Sequence, residues 1–377
     1  MTAGSSRRAD RVLHIVTTLD PGGAENHLRD LVAGQVSRGR SVTVAYLRGD
    51  PVSANAFERV GARVVALESR WRIDPRAIAR LRSDVGTFRP DVVHAHLIEG
   101  EMLTALAGLT SPLVNTRHND DAFWFREPMR VVGNWLARRA VRTIAISDHV
   151  RRSFVDAGVD ARRIETIHYG LDSVPRESPT RAEFGLPDDR PVVGAIGRLT
   201  GQKGHDTLID AFVRLGSLAS APWLAIVGEG EDRTTLERRA KASGAGDRIR
   251  FLGAVSDAAR LMPLFDVFAH PSRWEGFGLV LLEAMAASRP IVASRVSAIP
   301  EVVHDGETGW LTSPDDPAAL ADALRAALGD PSEARRRGEA GHARLVETFP
   351  IGRMVDATLE LYDRVVSERA VHGRRPR

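Results

Sequence analysis

Pro271-Ser272-Arg273-Trp274-Glu275-Gly276-Phe277-Gly278-Leu279-Val280-Leu281-Leu282-Glu283-Ala284-Met285-Ala286 follows the short apolar run Val267 to His270. The order reads as strand, glycine-bearing loop and helix, with the helix beginning near Gly278 and continuing to Ala287. A helix that starts directly beyond a strand end is the repeating unit of a parallel sheet covered by helices.

The same unit recurs on both sides of this stretch. Behind it, strands are predicted at Val192–Gly197, Leu224–Val227 and Ile249–Leu252, and ahead of it at Ile291–Ser294. Helices fit Gly204–Leu215, Asp232–Ala242, Ala318–Leu328, Ser332–Thr348 and Ile351–Val366. An earlier series has strands at Val12–Thr17, Val42–Leu47, Val64–Leu67, Val92–His96, Leu113–Thr116, Thr143–Ile146 and Ile164–Ile167. Its helices begin near Ala24 and cover Asp74–Thr87 and Pro128–Ala140. Between the two series Pro175, Pro179 and Pro187 stand among polar residues, as in an exposed connection. The division expected is an N-terminal domain over 1–172, a linker over 173–189 and a C-terminal domain over 190–350. A helix from 351 then crosses back to the first domain, ahead of a tail to 377.

At 377 residues the chain exceeds what one core usually holds, in agreement with two domains. With 43% hydrophobic and 27% charged residues it has a globular composition. It has no cysteine, which excludes disulfides and thiolate metal sites. Neither a membrane span nor a signal peptide is recognisable, so a cytoplasmic protein is expected. Residues 1–170 carry 25 arginines and no lysine against 19 acidic residues, although the net charge is only +3. A basic first half suits contact with an anionic membrane surface, or simple solvation. No motif points to nucleic acid.

Glu275 and Glu283 are eight residues apart, slightly more than two helical turns, so both can follow one ligand along one side. Carboxylates accept hydrogen bonds from vicinal hydroxyls, which makes sugar and ribose natural partners. The amides at the helix start suit a diphosphate. Gly197-Arg198-Leu199-Thr200-Gly201-Gln202-Lys203-Gly204 places two cations five residues apart in a second strand-to-helix loop. They can reach one diphosphate and help most as its charge grows on bond cleavage. Lys203 is one of two lysines beside 50 arginines. Thr17-Thr18-Leu19-Asp20-Pro21-Gly22-Gly23-Ala24-Glu25 offers backbone for close approach to a ligand. Asn115-Thr116-Arg117-His118-Asn119-Asp120 puts a histidine just past a strand. His94 and His96 share a strand face, where packing and lining are favoured over metal binding.

The Pro271–Ala286 segment closely resembles the E-x7-E signature of the retaining glycosyltransferases of family 4, which have the two-domain GT-B fold. The resemblance runs from Thr17 to the final helix. It implies an α/β protein of two doubly wound Rossmann-like domains facing across a cleft. By this resemblance Glu275 contacts donor-sugar hydroxyls and Glu283 the donor ribose, with the amides of Phe277, Gly278 and Leu279 near the diphosphate. Arg198 and Lys203 resemble the family's diphosphate clamp. Gly22 and Gly23 match its phosphate-facing loop, and His118 its active-site histidine. Glu25, His96 and Glu99 are assigned to the acceptor side. The chain departs from the family pattern at Ser288 and Ser297, where glycine is common. His168-Tyr169-Gly170-Leu171-Asp172 stands where Pro-Asn-Gly-Val-Asp is usual.

The expected activity is that of a retaining hexosyltransferase acting on a UDP- or GDP-linked sugar, with no cofactor and no metal requirement. The acceptor is a glycan, lipid-linked or small molecule in cell-envelope polysaccharide or glycolipid synthesis. Peripheral contact with an anionic membrane is a further expectation. Alternatives are a nucleotide-sugar epimerase of the same fold, a phosphorylase, for which only Lys203 and Lys241 can hold pyridoxal phosphate, and an inactive sugar-nucleotide-binding protein.

Overall fold

A computed structural model describes residues 8–20, 22–119, 129–172, 179–216 and 221–372. Pro21, Asp120, Pro128 and Pro175, named above, lie outside the described residues. The chain forms two compact units, one extending to Gly170 and resuming at Ile351, the other spanning Leu171–Pro350.

The first unit holds strands β1 (Arg11–Val16), β2 (Ser41–Tyr46), β3 (Arg63–Ala66), β4 (Val92–His96), β5 (Leu113–Arg117), β6 (Arg142–Ala145) and β7 (Ile164–Thr166). They form one parallel sheet in the order β3-β2-β1-β4-β5-β6-β7, so the winding reverses between β1 and β4. β4 is buried along its whole length, as expected of a central strand covered on both faces. It nevertheless carries His94 and His96, and the register sets His94 beside His14 of β1.

The helix Ile351–His372 completes this unit. Met354, Val355, Leu359, Tyr362 and Val365 recur at helical spacing and pack with Val12, Leu31, Val92 and Val114. Each such side chain contributes roughly 1.5–3 kcal/mol when fully buried. Arg40, buried, holds Asp363 of the helix at 2.9 Å.

The second unit contains β8 (Val192–Ile196), β9 (Trp223–Val227), β10 (Ile249–Gly253), β11 (Val267–His270), β12 (Ile291–Ser294) and β13 (Gly309–Thr312). Their order is β10-β9-β8-β11-β12-β13, again all parallel, with the reversal between β8 and β11. Both units are therefore Rossmann-like. From residue 179 the connecting segment is mostly exposed but is anchored to this unit at two points. Leu186 is buried, and the Arg181 guanidinium reaches the Leu264 carbonyl at 2.9 Å and Asp266 at 2.7 Å. A cation that finds two acceptors beside β11 holds the segment down.

Four helices start with the same pair of residues. Asp50-Pro51, Asp74-Pro75, Asp316-Pro317 and Asp330-Pro331 each place an aspartate at the N-cap and a proline in the first turn. Each carboxylate accepts a backbone N–H that the helix leaves unpaired, while proline has none to satisfy.

Candidate active site

In a doubly wound sheet, the loops beyond neighbouring strands part where the winding reverses and leave a crevice for a ligand. In the second unit those loops follow β8 and β11. The first carries Arg198 and Lys203, the second Glu275.

Glycine lets the two loops meet. Gly204 has φ +63°, and a Cβ there would lie 2.2 Å from the Pro271 carbonyl oxygen. Gln202 reinforces the contact: its carbonyl accepts from the Arg273 amide at 2.8 Å, and its side-chain Nε2 donates to the Trp274 carbonyl at 3.0 Å. Arg273 itself spans Asp206 at 2.9 Å and Asp315 at 2.7 Å.

These supports bring Lys203 against Glu275. The Lys203 ammonium donates to Oε1 of Glu275, which also receives Ser272 Oγ at 2.9 Å and His270 Nε2 at 3.0 Å. Glu275 is buried, which alone would push its carboxyl upward. The Lys203 charge and the bond from His270 outweigh that push and hold it well below the usual carboxylate range. His270 is moved down by burial despite its acidic neighbour. The result is a fixed carboxylate beside a cation, in a cradle of neutral donors. Such a group can accept hydrogen bonds from hydroxyls but cannot serve as an acid.

Arg198 is exposed, with its guanidinium on Gln202 Oε1 at 3.1 Å. The sequence reading pairs Lys203 with Arg198 as a diphosphate clamp, whereas here Lys203 is already engaged by Glu275. Phe277 turns its ring into the core against Phe349, so only its backbone is available to a ligand. Gly278 caps the helix Leu279–Ala286 with φ +87°, a turn that a side chain would strain. Glu283 is half-buried on that helix between the buried Leu282 and Ala284.

In the first unit the winding reverses between β1 and β4, and the residues there are largely histidine. Gly22 is the N-cap of the helix Gly23–Ser37, whose first turn holds Glu25. His96 is the N-cap of the helix Leu97–Ala107, and the next residue, Leu97, has φ +60°, a strained setting for a branched side chain. Glu99, buried in the first turn of this helix, is bound by Arg48 and, at 3.4 Å, by Arg72.

His118 lies just past β5. Its Nε2 faces His96 Nδ1 at 3.2 Å and its Nδ1 faces the Tyr169 hydroxyl at 2.5 Å. His96 Nε2 meets His14 Nδ1 at 3.0 Å, and His14 Nε2 meets Gln35 Oε1 at 2.8 Å. His94 bridges the Tyr362 hydroxyl at 2.5 Å and Thr116 Oγ1 at 2.6 Å. His27 lays its ring over Tyr169 at 4.1 Å. Burial pushes His14 down to about 4 and His118 to about 3, and holds His94 and His96 well below the ordinary value. These four rings are therefore neutral near pH 7.

His14, His94 and His96 bring one nitrogen each within 4.8 Å of one another, a spacing that can hold a metal ion. All six ring nitrogens already have protein partners, so an ion would have to displace those bonds. The sequence reading anticipates packing for His94 and His96; it misses His14 and Gln35, which only the strand register and the first helix bring alongside.

Two family patterns match the chain. Residues 21–174 match Glycosyltransferase Family 4, and residues 177–344 match Glycosyl transferases group 1. The alpha-maltose-1-phosphate synthase of Mycolicibacterium smegmatis is 31% identical over 383 residues, covering 91% of this chain and 96% of its own. The phosphatidyl-myo-inositol mannosyltransferase of Mycobacterium leprae is also 31% identical, over 92% of this chain and 94% of its own. Among solved structures, Anabaena HepE in complex with UDP and glucose superposes with a TM-score of 0.84 at 24% identity, covering 93% of this chain and 98% of its own. Sucrose-phosphate synthase from Thermosynechococcus elongatus gives 0.82 at 22%, covering 95% of this chain and all of its own.

Proposed function

The chain belongs to the family 4, group 1 glycosyltransferases, and on that premise we propose that it is a retaining hexosyltransferase using a nucleoside-diphosphate sugar. The observation that carries this reading is the ionised Glu275 held against Lys203 where the second sheet reverses its winding. A hexose offers hydroxyls to the carboxylate while its diphosphate offers charge to the cations.

In this reading the bond from the anomeric carbon to the diphosphate oxygen breaks as the acceptor oxygen forms its bond on the same face. The acceptor proton passes to the departing phosphate, and a nucleoside diphosphate leaves. Arg198 and Lys203 supply positive charge as it develops, the task that a metal ion performs in other transferases. Glu275 fixes the sugar, Glu283 the ribose, and the amides of Phe277, Gly278 and Leu279 receive the diphosphate. Gly22 and Gly23 give backbone access to phosphate, and His118 contacts the transferred sugar. Glu25, His96 and Glu99 border the acceptor.

Support for a UDP-linked donor comes from the solved structures of similar fold, among them Anabaena HepE in complexes with UDP and with UDP-glucose. A lipid-linked or envelope acceptor is supported by the mannosyltransferase relative, whose name specifies a phosphatidylinositol. Among the described residues no helix is long and apolar enough to cross a membrane. The helix Met129–Arg139 exposes Val131 and Trp135 one turn apart, close to Arg138 and Arg139, which suits reversible contact with an anionic surface.

The test is a thermal-shift series with UDP, GDP, ADP, TDP and CMP, followed by incubation of the matching nucleotide sugar with candidate acceptors. A saturable shift for one nucleoside diphosphate, lost in Glu283→Ala, and a product of retained anomeric configuration are expected. An inverted product would overturn the assignment. Equal sedimentation with and without anionic vesicles at low salt would remove the membrane contact.

A further inference from the structure

A neutral imidazole has one N–H and one bare nitrogen, so imidazoles joined end to end have a direction. Oε1 of Gln35 accepts from His14 Nε2, which leaves His14 Nδ1 bare. His96 must then donate from Nε2, and His118 from Nε2 to His96 Nδ1. That leaves His118 Nδ1 to accept from the Tyr169 hydroxyl. The other side of the same amide sets a second branch: Gln35 Nε2 faces Tyr362 Oη at 3.4 Å, Tyr362 donates to His94 Nδ1, and His94 Nε2 donates to Thr116.

Turning the Gln35 amide over would reverse every one of these bonds. Both tyrosines would then accept from imidazole N–H groups. A phenol is the stronger donor and a bare imidazole nitrogen the stronger acceptor, so the direction described keeps the two best bonds. Gln35 is fully buried on the helix Gly23–Ser37 and sits at the junction of both branches.

We propose that Gln35, His14 and His96 are positioning residues that fix His118 as the tautomer protonated at Nε2. Nδ1 is then presented as an acceptor, to Tyr169 or, in its place, to a substrate hydroxyl. The relevance of this to turnover rests on the transferase reading above. The chain ends on an amide oxygen, which takes no proton onward, so a charge placed on His118 would be stranded among buried rings. His118 thus orients a hydroxyl and does not carry a proton away.

The experiment is a two-bond 15N–1H correlation spectrum of the full-length protein labelled at histidine, recorded near pH 7.5 without substrate. The expected result is the Nε2–H tautomer at His14, His94, His96 and His118. Gln35→Leu is expected to give mixed tautomers at His118 and to lower kcat by roughly tenfold, the effect of one transition-state hydrogen bond, with donor KM unchanged. Gln35→Glu, whose carboxylate accepts in the same place, is expected to restore the Nε2–H form and most of the rate. An Nδ1–H tautomer at His118 in the unmodified protein overturns the proposal, as does an unmoved tautomer in Gln35→Leu. Should Gln35→Leu fail to fold, Tyr362→Phe removes the second contact of the amide and is expected to mix the tautomers at His94 and His118. The spectrum needs no turnover, so a protein that shows the pattern but transfers no sugar would refute the function and leave the relay standing.

Discussion

The ammonium of Lys203 rests on Oε1 of Glu275, 72 residues further along the chain. The two loops that meet there belong to the strands between which the second sheet reverses its winding. A buried carboxylate without its cation costs far more than the intact pair contributes.

Lys203→Met is therefore expected to destabilise the protein by about 3 kcal/mol in urea unfolding at pH 7. Because Glu275 is held below its ordinary value, its contribution is present above about pH 4.3 and fades only as the solution becomes strongly acidic. Without Lys203 the burial effect prevails, and the acid limb of kcat/KM should move upward by roughly one pH unit or more. An unchanged profile would sever the link between the two residues.

Glu101 runs the opposite way. Burial pushes it up to about 7, even with Arg117 at 2.9 Å. The folded chain then keeps a proton that the unfolded chain has lost, so stability should fall as pH rises from about 4.5 to about 7 and level off beyond. Glu101→Gln should flatten that slope in denaturation curves collected across the window.

Ser288 and Ser297 have φ +53° and +47°, in the left-handed region where glycine carries no penalty. They are the same positions at which the sequence departs from the family's glycines. Ser288→Gly and Ser297→Gly are each expected to raise the unfolding free energy by about 1 kcal/mol, visible as a higher Tm.

Gly204→Ala tests how tightly the two loops are joined. The positive φ and the 2.2 Å approach to the Pro271 carbonyl both oppose a methyl group. A loss of about 1–3 kcal/mol and a weaker nucleoside-diphosphate shift are expected. Full stability would show that the loops separate at little cost.

Much of this was legible from periodicity. The strands at Val92–His96, Val267–His270 and Ile291–Ser294 are found where the apolar runs place them. β13, Gly309–Thr312, was not, because four residues at a sheet edge, only Gly309 and Leu311 of them buried, carry too little pattern. Glu275 and Lys203 both stand out in their motifs, yet nothing in their spacing makes them partners. Likewise, His14 and His94 are 80 residues apart, and only the pairing of β1 with β4 makes them neighbours. Local chemistry is written in short stretches, while contacts across a sheet depend on register.

The return of Ile351–His372 to the first unit also bears on the order in which the chain can be completed during synthesis. Leu171–Pro350 is continuous and has all its strands once it leaves the ribosome. The first unit begins earlier but must wait, with Val12, Leu31 and Val92 lacking their last covering, until the final helix emerges. The half that starts first is thus the half that finishes last. A nascent chain that has emerged only as far as residue 350 would hold a complete second sheet, while the first is still open to chaperones and proteases.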